Sequence, residues 1–143
     1  MHFPQLLIHE TDGTLAAELR ELASKKQRWS LREPRQREGC LRLLQRGGPS
    51  ILVIKVGRDV ENELTLLEQV SWLSPETRIV AVSDTANPLL ADLAWDLGAT
   101  FVLFPPQPRE RLVGLVESLM RSFPKRPLPL LPAGDIAEEM TDS

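Results

Sequence analysis

At 143 residues, with a formal net charge of −3 and a pI near 5.4, the chain is long enough for one domain whose core needs no covalent staples. That charge balance leaves no broad cationic surface for nucleic acid or an anionic membrane. A single cysteine excludes an internal disulfide and any cysteine-rich zinc site.

The opening Met-His-Phe-Pro-Gln-Leu-Leu-Ile-His-Glu holds only a short apolar run, without the basic flank or cleavage pattern of a signal peptide. No apolar segment approaches membrane-spanning length, so the expectation is a soluble, cytoplasmic protein. Leu6-Leu7-Ile8 reads as a first strand ended by His9-Glu10. Thr11 or Asp12 then caps a helix with Leu15, Leu19 and Leu22 at i, i+4 and i+7. Trp29 to Arg32 reads as a weak edge strand. A second helix follows Pro34, with Cys40, Leu41 and Leu44 inward. Cys40 is read as a small buried hydrophobe, since nothing near it supplies the cationic, exposed setting of a reactive thiol.

Ser50 to Val56, Ser-Ile-Leu-Val-Ile-Lys-Val, is the most informative stretch. It follows the breaker Gly47-Gly48-Pro49 and is almost wholly apolar and rich in β-branched residues, as a strand buried on both faces of a parallel sheet reads. Lys55 interrupts it near its carboxyl end, where ligands gather in open α/β sheets. Val60 to Leu73 then reads as a helix with Leu66, Val70 and Leu73 inward, stopped by Ser74-Pro75. Arg78 to Val82 is a fourth strand closing on Ser83-Asp84. A fourth helix from about Asn87 to Leu97 has Leu90, Leu93, Ala94 and Leu97 on one side and Gly98 as its C′ residue. Thr100 to Phe104 is a fifth strand. After Pro105-Pro106-Gln107-Pro108, a fifth helix turns Leu112, Leu115, Val116 and Leu119 inward. Five strand–helix alternations with short connections predict a three-layer α/β sandwich on a parallel five-stranded sheet.

From Phe123 the composition changes: Phe-Pro-Lys-Arg-Pro-Leu-Pro-Leu-Leu-Pro carries four prolines in ten residues, followed by an acidic, polar end from Gly134 to Ser143. Proline at this density ends the helix and favours polyproline II. The expected division is a domain over 1–123 and a flexible tail over 124–143. Arg126 to Pro132 also matches a proline-rich SH3 ligand, although a linker or a segment docking on its own domain is the favoured role.

The chain from about Leu6 to Ser122 resembles the receiver domains of two-component response regulators, the CheY-like family. The resemblance rests on the order and spacing of the elements and on Gly98-Ala99-Thr100-Phe101-Val102-Leu103-Phe104-Pro105-Pro106. Receivers show there Gly-Ala, an aromatic-containing strand and Lys-Pro. The resemblance implies a flavodoxin-like fold with strand order 2-1-3-4-5. It also implies a site: two acidic residues after the first strand for Mg²⁺, an Asp ending the third as phosphoacceptor, a hydroxyl after the fourth, and a Lys before the final Pro.

Laid on this chain, most of that site is missing. His9 and Glu10 stand at the acidic pair, Lys55 at the phosphoacceptor, Ser83 at the hydroxyl and Pro105 at the Lys, with Pro106 matching the family proline. An ammonium cannot form an acyl phosphate. Its repulsion of Mg²⁺ amounts to roughly several kcal/mol even at an effective dielectric of 20. The chain thus resembles a degenerate pseudo-receiver, with neither cofactor nor metal expected. The working hypothesis is an internal salt bridge from Lys55 to Glu10, and to Asp84, in place of the metal; a solvent-pointing Lys55 nitrogen would count against it. Val102 stands where receivers carry a rotating aromatic, so that relay lacks its moving part.

Bland readings weigh against sharper ones at several residues. Lys55 as a Schiff-base nucleophile has nothing around it in support. His9 is more often a hydrogen-bonded strand-end residue than a ligand or phosphorylation site. Asp59 reads as a cap of the third helix rather than a displaced acceptor. Trp95, on the side of the fourth helix away from its apolar row, is a candidate interface anchor together with Asp92, Asp96 and Val102. In receivers the fourth helix, fifth strand and fifth helix form the usual docking face. Trp29 and Trp72 read as core or edge packing.

The leading expectation is a phosphorylation-independent protein-interaction module of signal transduction. It is not an enzyme, and it docks a protein partner or a second copy through that face. The alternative is a residual phosphoacceptor using Asp59 or Asp84. Small-ligand binding in the crevice above the first and third strands ranks third, since no glycine-rich phosphate loop is present.

Overall fold

A computed structural model describes residues 4–26 and 28–123; the expected tail from 124 to 143, with its SH3-like pattern, lies outside the described residues. The elements alternate as β1 (Gln5–His9), α1 (Thr14–Lys25), β2 (Ser30–Arg32), α2 (Arg37–Gln45), β3 (Ser50–Lys55), α3 (Val60–Leu73), β4 (Arg78–Val82), α4 (Pro88–Asp96), β5 (Phe101–Leu103) and α5 (Arg111–Ser122). The sheet has the order β2-β1-β3-β4-β5 and every pairing is parallel. This is the flavodoxin-like arrangement expected from the alternation.

β3 is central because its sequence leaves it no solvent face. All six of its residues are buried, and they divide by alternation between two cores. Ile51 and Val53 point to the α1/α5 side and join Leu6, Ile8, Leu15, Leu19, Val80, Leu112 and Val116. Leu52 and Ile54 point to the α2/α3/α4 side and join Leu7, Cys40, Leu66, Val70, Ala81, Leu90 and Ala94. Cys40 is fully buried, and burial pushes its thiol pKa up to about 12, so it serves as packing.

Gly98 ends α4 with φ +117°, its N–H donating to the Trp95 carbonyl. A Cβ at this position would lie 2.5 Å from the Ser71 Cβ, so glycine is required both by the backbone and by the approach of α4 to α3.

Three apolar residues depart from the sequence expectations. Leu93 is 41% exposed, because α4 rests on the sheet along the row Leu90, Ala94 and Leu97, and Leu93 lies about 100° round from Ala94. Trp72 and Leu73 are 79% and 61% exposed rather than packed. Trp72 lies about 200° round from Val70, on the face of α3 turned away from the buried row Leu66, Leu67 and Val70, and Leu73 is the last residue of the helix. Trp29 is buried as expected, with its ring centroid 5.7 Å from that of Phe123.

Gly98→Ala is expected to cost about 2 kcal/mol, from the positive φ and the Ser71 overlap together. Urea denaturation measures it, and an unchanged midpoint would contradict the close α3–α4 approach.

Candidate functional site

The carboxyl ends of β1, β3 and β4 converge where the strand order reverses, and the five residues singled out by the receiver resemblance arrive there with different tasks. Lys55 ends β3, and alternation turns it to the α1/α5 side. Its residue is 8% exposed. Its Nζ lies 2.8 Å from Asp12 Oδ2, 2.9 Å from Asp84 Oδ2 and 3.4 Å from Thr14 Oγ1. An ammonium carries three donors, and three acceptors meet it.

The partner after β1 is therefore Asp12 and not Glu10, and the reason is local. Glu10 is 7% exposed, and its two oxygens accept from the backbone N–H groups of Leu15 and Ala16, at 2.9 Å each. Those are orphan donors of the first turn of α1, where a carboxylate is also favoured by the helix dipole. Gly13, with φ +78°, turns the chain so that Asp12 accepts from Thr14 N at 3.3 Å and Thr14 Oγ1 at 3.1 Å while its other oxygen faces Lys55. The expectation that Thr11 or Asp12 caps α1 thus gives way to Glu10 as the main cap, with Asp12 ordering the turn.

On the other side, Asp84 is shared. One oxygen accepts from Lys55 and the other from the Arg109 guanidinium, which also donates to the Ser83 carbonyl at 3.4 Å and lies 3.8 Å from Glu18. Arg109 was not singled out from sequence; the only signal for it is its position just after the Pro105–Pro108 turn. The Pro105–Pro106 peptide is cis. Ser83 is 3% exposed, and its hydroxyl accepts from Thr85 N at 3.3 Å and lies 3.4 Å from Thr85 Oγ1.

His9 hydrogen-bonds through Nδ1 to the Pro34 carbonyl at 3.1 Å, the bland reading of a strand-end histidine. Asp59 occupies the N-cap position of α3, but its side chain makes no cap bond. Glu63 instead reaches back from the first turn to the residues ahead of the helix, accepting from Gly57 N at 2.8 Å and from the N-cap Asp59 N at 3.1 Å. It is 4% exposed and was missed from sequence, though its position four residues after Asp59 is close to capping-box spacing.

The charges reinforce one another. The Lys55 hydrogen bond holds Asp12 far below the usual carboxylate range, against the opposing effect of burial. Asp84 is lowered as well, first by Lys55 and then by Arg109. For Lys55, burial works against the charge, but its bonds to Asp12 and Asp84 outweigh it and the pKa rises. Beside this cluster, Lys55, Gly57, Arg58, Ser83 and Asp84 line a cavity of about 170 Å³. That is below the range of roughly 300–1,000 Å³ for small-ligand sites, which weakens the small-ligand reading.

Among the interface candidates, Trp95 is 49% exposed and Asp92 and Asp96 are exposed, while Val102 is partly buried against the α4-side core. Two residues not singled out, Leu89 (73% exposed) and Phe101 (40% exposed), add apolar surface on α4 and β5. Leu89 and Leu93 are four residues apart and share a flank of α4; Trp95 lies on the opposite flank.

No protein-family model and no curated protein matches the chain. Solved structures do. A response regulator from Thermotoga maritima is 17% identical, with a TM-score of 0.66 over 85% of this chain and 100% of that one. A two-component response regulator from Clostridium difficile is 16% identical, with a TM-score of 0.68 over 83% and 97%. The signal receiver domain of an HD domain-containing protein from Pseudomonas fluorescens Pf-5 is 17% identical, with a TM-score of 0.68 over 85% and 89%. The chain therefore has the fold of a response-regulator receiver domain. At these identities the likeness is one of fold, and function must be argued from the site. No helix among the described residues is long and apolar enough to cross a membrane.

Asp12→Asn is expected to destabilise the chain at pH 7, with the cost shrinking as pH falls from about 5 toward 2. The sign follows from the lowered Asp12 pKa: the unfolded group protonates near pH 4 while the folded one stays ionised, so its stabilisation is complete above that range and lost below it. Urea denaturation at several pH values checks this; a cost independent of pH would contradict it.

Proposed function

We propose that this chain is a phosphorylation-independent protein-interaction module of signal transduction, a receiver fold that presents a fixed surface and turns nothing over. One observation carries the reading: at the end of β3, where a receiver needs a carboxylate, an ammonium bridges Asp12 and Asp84. The carboxylates a metal would need are occupied. Glu10 caps α1, and Asp12 and Asp84 face a cation within hydrogen-bond distance. These residues do not fit Mg²⁺, which requires hard oxygen ligands free of a competing positive charge. Asp84, named in the alternative reading, has both oxygens engaged by Lys55 and Arg109, which lowers its value as a nucleophile.

The surface offered is α4 and β5. Leu89 and Leu93 on one flank of α4, Trp95 on the other and Phe101 on β5 are exposed apolar residues, with the exposed Asp92 and Asp96 on the same helix. This surface suits a protein partner or a second copy of the chain. Val102, aliphatic and packed, supplies no moving ring to couple that surface to the site.

Incubating the purified chain with acetyl phosphate, or with beryllofluoride, and Mg²⁺ is expected to leave mass and tryptophan fluorescence unchanged. A phosphorylated Asp59 or Asp84 in the mass spectrum would establish the alternative. For the surface, Leu89→Glu with Leu93→Glu is expected to weaken self-association at least tenfold in sedimentation equilibrium while leaving the urea midpoint in place. An unchanged association constant would move the docking surface elsewhere.

A further inference from the structure

The helical layer made by α2, α3 and α4 carries opposite charges at its two margins. Between Arg58 and Arg78, and again from there to Arg109, the sequence holds no lysine or arginine, so α3 and α4 end without a cation in the last turn. No side chain of either helix offsets the negative end of its dipole, and the exposed Asp92 and Asp96, four residues apart, add to it on α4. α2 is the reverse. Arg42 and Arg46 are exposed, also four residues apart, on the side away from the buried Cys40 and Leu44. The three helices are level. Arg37 donates to Asn62 Oδ1 at 2.7 Å, which sets the start of α2 beside the start of α3, and Arg46 and Ser71 lie nine residues further along each. Ser71 in turn meets the end of α4, since a Cβ on Gly98 would lie 2.5 Å from its Cβ. At a rise of about 1.5 Å per residue, Arg46, Trp72 and Asp96 stand at about one height across the layer. Trp72, on the middle helix, is 79% exposed.

We infer that this layer docks on a second copy of the chain about a two-fold axis running along α3. Such a rotation carries α2 of each copy over α4 of the other and lays α3 against α3. Heights are preserved, because the axis is parallel to the helices. Arg42 and Arg46 of each copy then face Asp92 and Asp96 of the other, two matched ladders with a spacing of about 6 Å. Each Trp72 meets its counterpart near the axis, the place of an aromatic anchor inside a charged rim. The arginines also supply the cation that the end of α4 lacks. Toward the other ends of the helices the exposed Glu38, Glu61 and Glu68 stand with the exposed Arg35 and Arg58, so the complementarity is concentrated at the carboxyl-terminal turns. The contact closes on two copies and leaves no face from which a filament grows. It rests on the reading of α4 as part of the docking surface, and it selects a second copy as the occupant. Leu89 and Leu93, on the flank of α4 shared with Asp96, fall at its margin.

Sedimentation equilibrium of the full chain is expected to show a reversible monomer–dimer equilibrium, weakened at least threefold in 0.5 M NaCl. Arg42→Glu with Arg46→Glu, and Asp92→Arg with Asp96→Arg, should each weaken it at least tenfold. Mixing these two variants should restore dimers to within threefold of the native constant, since every facing pair is again opposite in charge. Trp72→Gln should weaken the dimer at least tenfold with the urea midpoint unmoved. A mixture that stays monomeric overturns the inference, and so does assembly that grows beyond two copies. Charge reversals without effect, beside a dimer weakened by Leu89→Glu with Leu93→Glu, would move the contact to the α4/β5 flank; the inference then fails while the interaction-module reading stands. A native chain that remains monomeric at millimolar concentration also overturns the inference and leaves that reading to a different protein partner.

Discussion

A charged side chain is held at the end of a strand that is otherwise wholly apolar, and the geometry around Lys55 follows from the need to satisfy it. Three donors require three acceptors, and the chain finds them in two different turns, Asp12 and Thr14 after β1 and Asp84 after β4. The ammonium therefore fastens together the loops of three strands. Asp84 extends the linkage through Arg109 to Glu18, so α1 and the segment leading into α5 join the same network. Part of it is open to water: the Asp84 side chain is 61% exposed against 9% for Lys55. Such a pair contributes more to holding one arrangement of the loops than to net stability.

The remaining polar groups at this edge serve the backbone. Glu10 closes the start of α1 and Glu63 the start of α3, each buried and each bonded to two main-chain N–H groups. Both carboxylates are fully employed in keeping helices in place, which leaves Asp12 and Asp84 to face the cation. The edge of the sheet that hosts chemistry in many α/β proteins is here occupied by the protein's own side chains.

The architecture was readable because the strands other than β2 are short apolar runs and each helix has an inner row, while β2, Ser-Leu-Arg, was legible only as a weak edge strand. Lys55 stood out for the same reason, as one charge in such a run. Asp84 was legible as one partner, but which carboxylate after β1 would reach Lys55 was not. Glu10 and Asp12 are two residues apart, and the positive φ of Gly13 together with the unfilled N–H groups of α1 decides between them. Leu93 and Leu73 fit helical periodicity but not burial, because periodicity says nothing about where a helix crosses the sheet, and Leu73 is the last residue of its helix. Arg109 and Glu63 escaped notice because their partners are set by turns rather than by any repeating pattern.

The sheet is closed on its flanks by its two shortest strands, β2 and β5, of three residues each. Strands so short expose few unpaired rungs, and β2 is preceded at once by a buried tryptophan. A visiting polypeptide would thus gain little by extending the sheet edgewise. Recognition of this molecule must be written in side chains, and a mutation that lengthens either margin would introduce a stickiness that the native chain is built to avoid.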